Sequence, residues 1–175
     1  MTSWVLAALL ALPVSREDRG VEQALAKREQ LEAIADAVAH VSLTAPRPPR
    51  EWAALVLAVG YHESSYSLRI HAGHCKPLEC DRGRARSSWQ LHQNYHTRPV
   101  WDELWGIENT AVQVRAADGM LRRAFYTCAR SGVPWLQATL SAYRGSRCGA
   151  EWPGLQVRLA TARRLLKVPR PKEAT

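Results

Sequence analysis

A chain of 175 residues with 46% hydrophobic content can bury one sizeable core but not two, so a single domain is expected. Its 24 Lys and Arg against 16 Asp and Glu leave a formal charge of +8, which favours a polyanionic partner (nucleic acid, anionic lipid or an acidic cell-wall polymer) without choosing among them. No stretch reaches the roughly 20 apolar residues of a membrane-spanning helix, and seven Trp beside one Phe supply side chains suited both to a core and to stacking on sugars or bases.

In chain order, Trp4 to Val14 (WVLAALLALPV) has the length of a signal-peptide apolar region. No Lys or Arg precedes it and Leu12-Pro13 spoils an A-x-A cleavage site, so residues 1–14 are either an export signal or a first helix folded onto the domain. From about Val21 to His40, the residues Val21, Ala24, Leu25, Leu31, Ile34, Ala35 and Val38 share one face of an amphipathic helix. Three prolines between Ser42 and Arg50 mark a linker. The helix predicted over Glu51 to Tyr66 carries Trp52, Leu55, Val56 and Val59 at i, i+3, i+4 and i+7, and Glu63 continues that stripe, four residues after Val59 and eleven after Trp52. A carboxyl group held against apolar neighbours loses hydration in its charged form and becomes able to donate a proton near neutral pH. Glu63 is therefore the candidate general acid, unless the helix has ended by His62 and the carboxyl is solvated in a His-Glu-Ser-Ser turn.

From Ile70 to Arg86 the chain is rich in Gly, Cys, His and charge without any period, which predicts a long ordered loop, uncommon unless functional. Cys75 and Cys80 form a close pair in that loop, and Cys128 and Cys148 bracket a predicted helix. This pattern suggests two disulfides, Cys75–Cys80 and Cys128–Cys148, and a compartment outside the cytosol, with two other pairings formally open. The competing reading is zinc at His71, His74, Cys75 and Cys80, although the tight CxxC or HxxxH arms usual in structural sites are missing, and no metal is expected. Asn109 or Thr110 caps a helix to Cys128 whose stripe is Val114, Ala117, Leu121, Phe125 and Cys128. Pro134 opens a helix through Leu136, Leu140 and Tyr143 that Gly145 ends. A last helix, Gly154 to Lys167, buries Leu155, Leu159, Ala162 and Leu166 and exposes Arg158, Arg163, Arg164 and Lys167. No alternating strand pattern is present, and the Pro/Lys tail at 169–175 is expected to be flexible.

Three short motifs then line up in order. His62-Glu63-Ser64-Ser65-Tyr66 resembles the catalytic E-S motif of the lysozyme-like superfamily, specifically the soluble lytic transglycosylases and goose-type lysozymes. Arg84-Ala85-Arg86-Ser87-Ser88-Trp89-Gln90 resembles that family's G-L-M-Q block, with Gln90 at the Gln position, and Ala142-Tyr143-Arg144-Gly145 resembles its A-Y-N-A-G block. The spacings, 27 residues from Glu63 to Gln90 and 53 from Gln90 to Tyr143, suit the family, and the resemblance covers roughly Glu51 to Lys167. Ser87, Ser88 and Trp89 replace Gly, Leu and Met, so Trp89 is expected to stack on a sugar face in place of Met. Arg144 replaces Asn, and a cation there suits the lactyl or peptide carboxylates of peptidoglycan.

The resemblance implies a mainly α, lysozyme-like helical domain over residues 15–168, with a long disulfide-bearing active-site loop, acting on peptidoglycan glycan strands without a cofactor. One Glu serves such enzymes as acid and then base while the sugar's 6-hydroxyl attacks, leaving a 1,6-anhydro product. By resemblance Glu63 has both roles, Tyr143 orients its carboxyl, and Gln90 and the Ser64 hydroxyl hold substrate N-acetyl groups or the Glu itself. A hydrolytic muramidase is the alternative, with Asp81, and Glu79 beside it, as second carboxylates that activate water. A basic nucleic-acid-binding domain has only the charge in its favour and no recognisable motif, so no nucleic acid is expected as partner. A secreted or periplasmic monomer without a membrane span is the expected setting.

Overall fold

A computed structural model describes residues 1–76 and 78–171, the side chains of Arg16, Val21 and Glu22 excepted. The fold is mainly helical. Helix α3 (Pro49–Ser64) runs through its centre, every residue from Trp52 to Gly60 being buried. A helix that is apolar all round belongs inside a core, and α3 is wrapped by α1 (Thr2–Leu10), α2 (Val21–Ser42), α6 (Thr110–Cys128) and α8 (Leu155–Leu166), with α7 (Trp135–Tyr143) packed on α6 and α8. The sequence stripe captured Trp52, Leu55, Val56 and Val59, while the intervening Ala53, Ala54, Leu57 and Ala58 are equally buried. Pro49 lets α3 begin two residues before Glu51, since the first turn needs no N–H from it. The helix continues through Ser64 and stops where Ser65 turns left-handed (φ 52°), so Glu63 lies on its last turn and not in a solvated loop.

Residues 2–10 form a helix that packs on the domain. Trp4, Val5, Ala8 and Leu9 are buried, Trp4 Nε1 donates to the Val168 carbonyl at 3.0 Å, and the Arg50 guanidinium stacks over the Trp4 ring. Helix α2 departs from its expected face in its first turns. Ala24 is exposed and Leu25 is 69% exposed, whereas Lys27 and Gln30 point inward. The cause is a buried ion pair: Lys27 Nζ lies 2.9 Å from Asp18 and also donates to the Tyr66 carbonyl, rotating that end of the helix away from its apolar residues. Leu31, Ile34, Ala35 and Val38 are buried as expected, and the Val21 side chain lies outside the described residues.

Between α3 and α6 the chain forms α4 (Leu68–His71), the single turn α5 (Cys80–Gly83) with Asp81 and Arg82 left-handed, and two-residue strands β1 (Ala85–Arg86) and β2 (Leu91–His92) paired antiparallel. Strands this short carry no alternation for a sequence pattern to reveal. Both disulfides form as Cys75–Cys80 and Cys128–Cys148, which consumes the two thiols of the zinc reading. The second ties the end of α6 to the α7–α8 connection. Among the described residues no helix is long and apolar enough to cross a membrane. Of the expected tail, 172–175 lie outside the described residues and 169–171 form no helix or strand.

One glycine fixes how the middle of the chain docks on α3. Tyr66 Oη donates to the Leu57 carbonyl at 2.9 Å and Trp89 Nε1 to the Val56 carbonyl at 2.9 Å, both rings lying over Gly60. A Cβ there would sit 2.6 Å from Tyr66 Oη and 2.8 Å from Trp89 Nε1. Gly60→Ala gains about 1 kcal/mol of helix propensity, but overpacking against two rigid rings costs about 1–3 kcal/mol. The clash should win, lowering the melting temperature in thermal denaturation; a variant more stable than wild type would show that the rings yield.

Candidate active site

Glu63 opens from the last turn of α3 into a groove of about 360 Å³, lined also by Leu140, Tyr143, Arg144, Trp152, Pro153 and Arg158. Helix α7 supplies Leu140 and Tyr143, its C-terminal cap Arg144, the α7–α8 connection Trp152 and Pro153, and the first turn of α8 Arg158. The carboxyl does not meet the purely apolar setting expected for it. Arg158 Nη2 donates to Glu63 Oε1 at 2.7 Å, with side-chain exposures of 15% and 27%. Arg158 was expected on the exposed face of α8. It follows Leu155 by three residues and precedes Leu159 and Ala162 on the same stripe, so the spacing that marks the buried face includes it. That spacing was the available signal for a groove residue the sequence reading missed; Trp152 and Pro153 gave none.

Tyr143 stands beside Glu63 but does not hydrogen-bond it. Its hydroxyl donates to the Trp89 carbonyl at 3.2 Å, and burial, followed by the Glu63 charge, pushes its pKa further above the usual tyrosine range, so it stays protonated. Tyr143 also lines a second pocket of about 470 Å³, together with Asn94, Tyr95, His96, Met120 and Arg123. The two pockets therefore share one lining residue. His62, next to Glu63, has Nε2 at 2.7 Å from Thr161 Oγ1 on α8, and its pKa is lowered by burial and by Arg158.

The remaining sequence candidates lie elsewhere. Trp89 is fully buried against α3, so it cannot stack on a sugar: its indole N–H is spent on the Val56 carbonyl and its ring packs edge-on to Tyr66. The Gln90 amide donates to the Ser87 carbonyl at 3.1 Å and approaches Cys80 Sγ at 3.5 Å, bracing its own loop. Ser87 itself adopts φ 68°, and its hydroxyl accepts from the Trp89 N–H at 3.1 Å. Ser64 is turned back into its helix, Oγ donating to the Gly60 carbonyl at 3.2 Å and accepting from the Tyr66 N–H at 3.0 Å. Asp81 is exposed and pairs with Arg84 at 3.2 Å, with His92 at 3.7 Å. Glu79 is gripped by Arg69 at 2.5 and 2.8 Å, which holds its carboxyl below the usual range. Neither acid lines the Glu63 groove.

Comparison of the chain with protein-family models, with curated proteins and with solved structures finds no match.

His71, a ligand in the zinc reading, is fully buried between two hydroxyls, Ser88 Oγ at 2.9 Å from Nδ1 and Thr110 Oγ1 at 3.0 Å from Nε2. The Thr110 hydroxyl donates to the Ile107 carbonyl at 2.6 Å, so its oxygen accepts from Nε2–H and Nδ1 accepts from Ser88. Burial holds the His71 pKa down at about 4, against 6.5 when solvated. A depressed histidine stabilises the fold above its unfolded pKa, and that contribution is lost as the pH falls from about 6.5 to about 4, amounting to about 3 kcal/mol at most. His71→Gln should flatten this part of the stability–pH curve measured by urea denaturation. Parallel wild-type and variant curves over that window would show that His71 is not the cause.

Proposed function

We propose that the groove cleaves the glycosidic bonds of peptidoglycan, with Glu63 as the acid and then the base of a lytic transglycosylase of lysozyme-like fold, in a protein exported to the cell envelope. The observation that carries the reading is a solitary acid: the described residues lining the Glu63 groove include no second carboxylate. Most hydrolytic glycosidases place two carboxyl groups across the scissile bond, one to protonate the leaving oxygen and one to activate water or attack the sugar. A single acid favours a nucleophile supplied by the substrate, since no second carboxylate among the described lining residues stands ready to position water.

In the proposed reaction Glu63 gives its proton to the glycosidic oxygen as the bond from that oxygen to the anomeric carbon breaks. The 6-hydroxyl oxygen of the same sugar then bonds to the anomeric carbon and passes its proton to the Glu63 carboxylate. The acid is regenerated, no water is consumed, and the product carries a 1,6-anhydro ring. Tyr143, anchored to the Trp89 carbonyl, keeps the wall beside Glu63 rigid. Tyr143 also lines the second pocket, where Tyr95, 88% exposed, offers an aromatic face to a further sugar. Two disulfides suit an oxidising compartment.

Glu63→Gln removes the proton donor while keeping its shape, so peptidoglycan cleavage should fall by a factor on the order of 10²–10⁴ with the circular-dichroism spectrum unchanged. A variant retaining more than about a tenth of the wild-type rate would remove Glu63 from the role of acid.

Asp81 separates the transglycosylase from a hydrolytic muramidase. Spent on Arg84 and His92 outside the groove, it has no water to position, so Asp81→Asn should lower the rate only modestly and mass spectrometry of the wild-type digest should find 1,6-anhydro ends. Reducing ends together with a loss of several orders of magnitude in the variant would establish the hydrolase instead.

A further inference from the structure

Trp152 holds two guanidinium groups at once. The Arg144 guanidinium carbon lies 4.7 Å from the centre of its ring and that of Arg158 lies 4.9 Å away. Stacking on an aromatic ring fixes the plane of a guanidinium while leaving its N–H donors free for an anion in that plane. Arg158 spends Nη2 on Glu63 and directs Nη1 to the Gly154 carbonyl at 3.4 Å. Arg144 makes no ion pair or side-chain hydrogen bond among the described residues, although it lines the same groove. The groove wall thus carries two cations and one carboxylate, and one cation has no counter-charge.

The stack is built in place. Gly154 takes φ 93°, and a Cβ there would meet Arg158 Nη1 at 2.8 Å and the Trp152 ring at 3.1 Å, so the absence of a side chain is what lets Arg158 and the indole close up. The Cys128–Cys148 bridge anchors the connection that carries Trp152 to the end of α6. Groups fixed before a ligand arrives bind it without the cost of ordering them.

We propose that Arg144, Trp152 and Arg158 form a carboxylate-binding subsite, and that a substrate carboxylate seated there takes Arg158 away from Glu63 and frees the acid. The subsite itself follows from the stack; its coupling to catalysis rests on the glycosidase reading of Glu63. The substrate class is then an amino-sugar polymer bearing carboxylates next to the scissile bond, either on a lactyl ether or on an attached peptide. A neutral glycan leaves Glu63 paired with Arg158 and is a poor substrate.

The test titrates four probes into the wild-type protein: N-acetylmuramic acid, its methyl ester, an N-acetylmuramoyl dipeptide whose carboxylate is on the peptide, and N-acetylglucosamine. Binding is followed at the indole N–H resonance of Trp152, assigned with Trp152→Phe, and at the Glu63 side-chain carboxyl resonance. At least one acid should bind about tenfold or more tightly than the ester and the neutral sugar, shift both resonances, and lose that advantage in Arg144→Met, with Arg144→Lys retaining part of it. Preference for the free muramic acid assigns the lactyl carboxylate, and preference for the dipeptide assigns the peptide. Equal affinity for acid and ester, or acid binding that leaves Trp152 and Glu63 unshifted, overturns the proposal. Glycan cleavage without acid preference defeats the subsite alone, whereas acid preference without cleavage of any glycan leaves the subsite standing and defeats the glycosidase reading.

Discussion

With no side chain at Gly60, Tyr66 and Trp89 lie against the backbone of α3 and donate to the carbonyls of Leu57 and Val56, and the rest of the site is hung from those two hydrogen bonds. Tyr66 can reach back to the helix because Ser65 and Tyr66 both turn left-handed, which reverses the chain directly after Glu63. Non-glycine residues in that region each cost on the order of a kilocalorie per mole, and the turn offsets this with the Ser64 hydroxyl, the Lys27 ammonium on the Tyr66 carbonyl, and the ring contact with Trp89. Trp89 then offers its own carbonyl to Tyr143, joining α7 to the segment between β1 and β2. Three stretches far apart in sequence are thereby fixed around one carboxyl group, by the buried Tyr66 and Trp89 and by Tyr143, which also lines the groove.

That division of labour explains what was legible in the sequence. Helical periodicity located α2, α3, α6, α7 and α8 because their buried faces are apolar, and cysteine spacing gave both disulfides. It misread the first turns of α2, where a buried Lys27–Asp18 pair does what apolar residues do elsewhere. The motif residues Ser64, Trp89 and Gln90, expected by resemblance to hold substrate or Glu63, instead brace the backbone, since a motif marks where a residue stands in the chain but not which way its side chain turns. Arg158 and Trp152 carried no motif. Arg158 did carry a positional signal, a charge on the stripe of Leu155, Leu159 and Ala162, and that signal is the counterpart of Glu63 on the stripe of Val59. Each helix brings one charge into an otherwise apolar face, and they meet.

The pairing sets Glu63 against its proposed task, because a carboxylate accepting from a guanidinium at 2.7 Å is engaged as an acceptor and not as a proton donor. The magnitude of the pair decides whether this is an obstacle. Both side chains are partly buried, 15% and 27% exposed, so the pair lies between an exposed ion pair, worth about 1 kcal/mol or less, and a fully buried one, which costs several kcal/mol to break on one side. A ligand carboxylate that replaces Glu63 on Arg158 returns most of that amount, since the guanidinium exchanges one oxygen for another without being desolvated alone. Arg158 is already held by Trp152, so in the proposed exchange it pivots within the stack and does not leave it. In the proposed exchange the stack keeps the movement of Arg158 local, and the swap of one carboxylate for another keeps it reversible. If Glu63 acts as proposed, the guanidinium beside it makes its availability to substrate depend on what else occupies the groove.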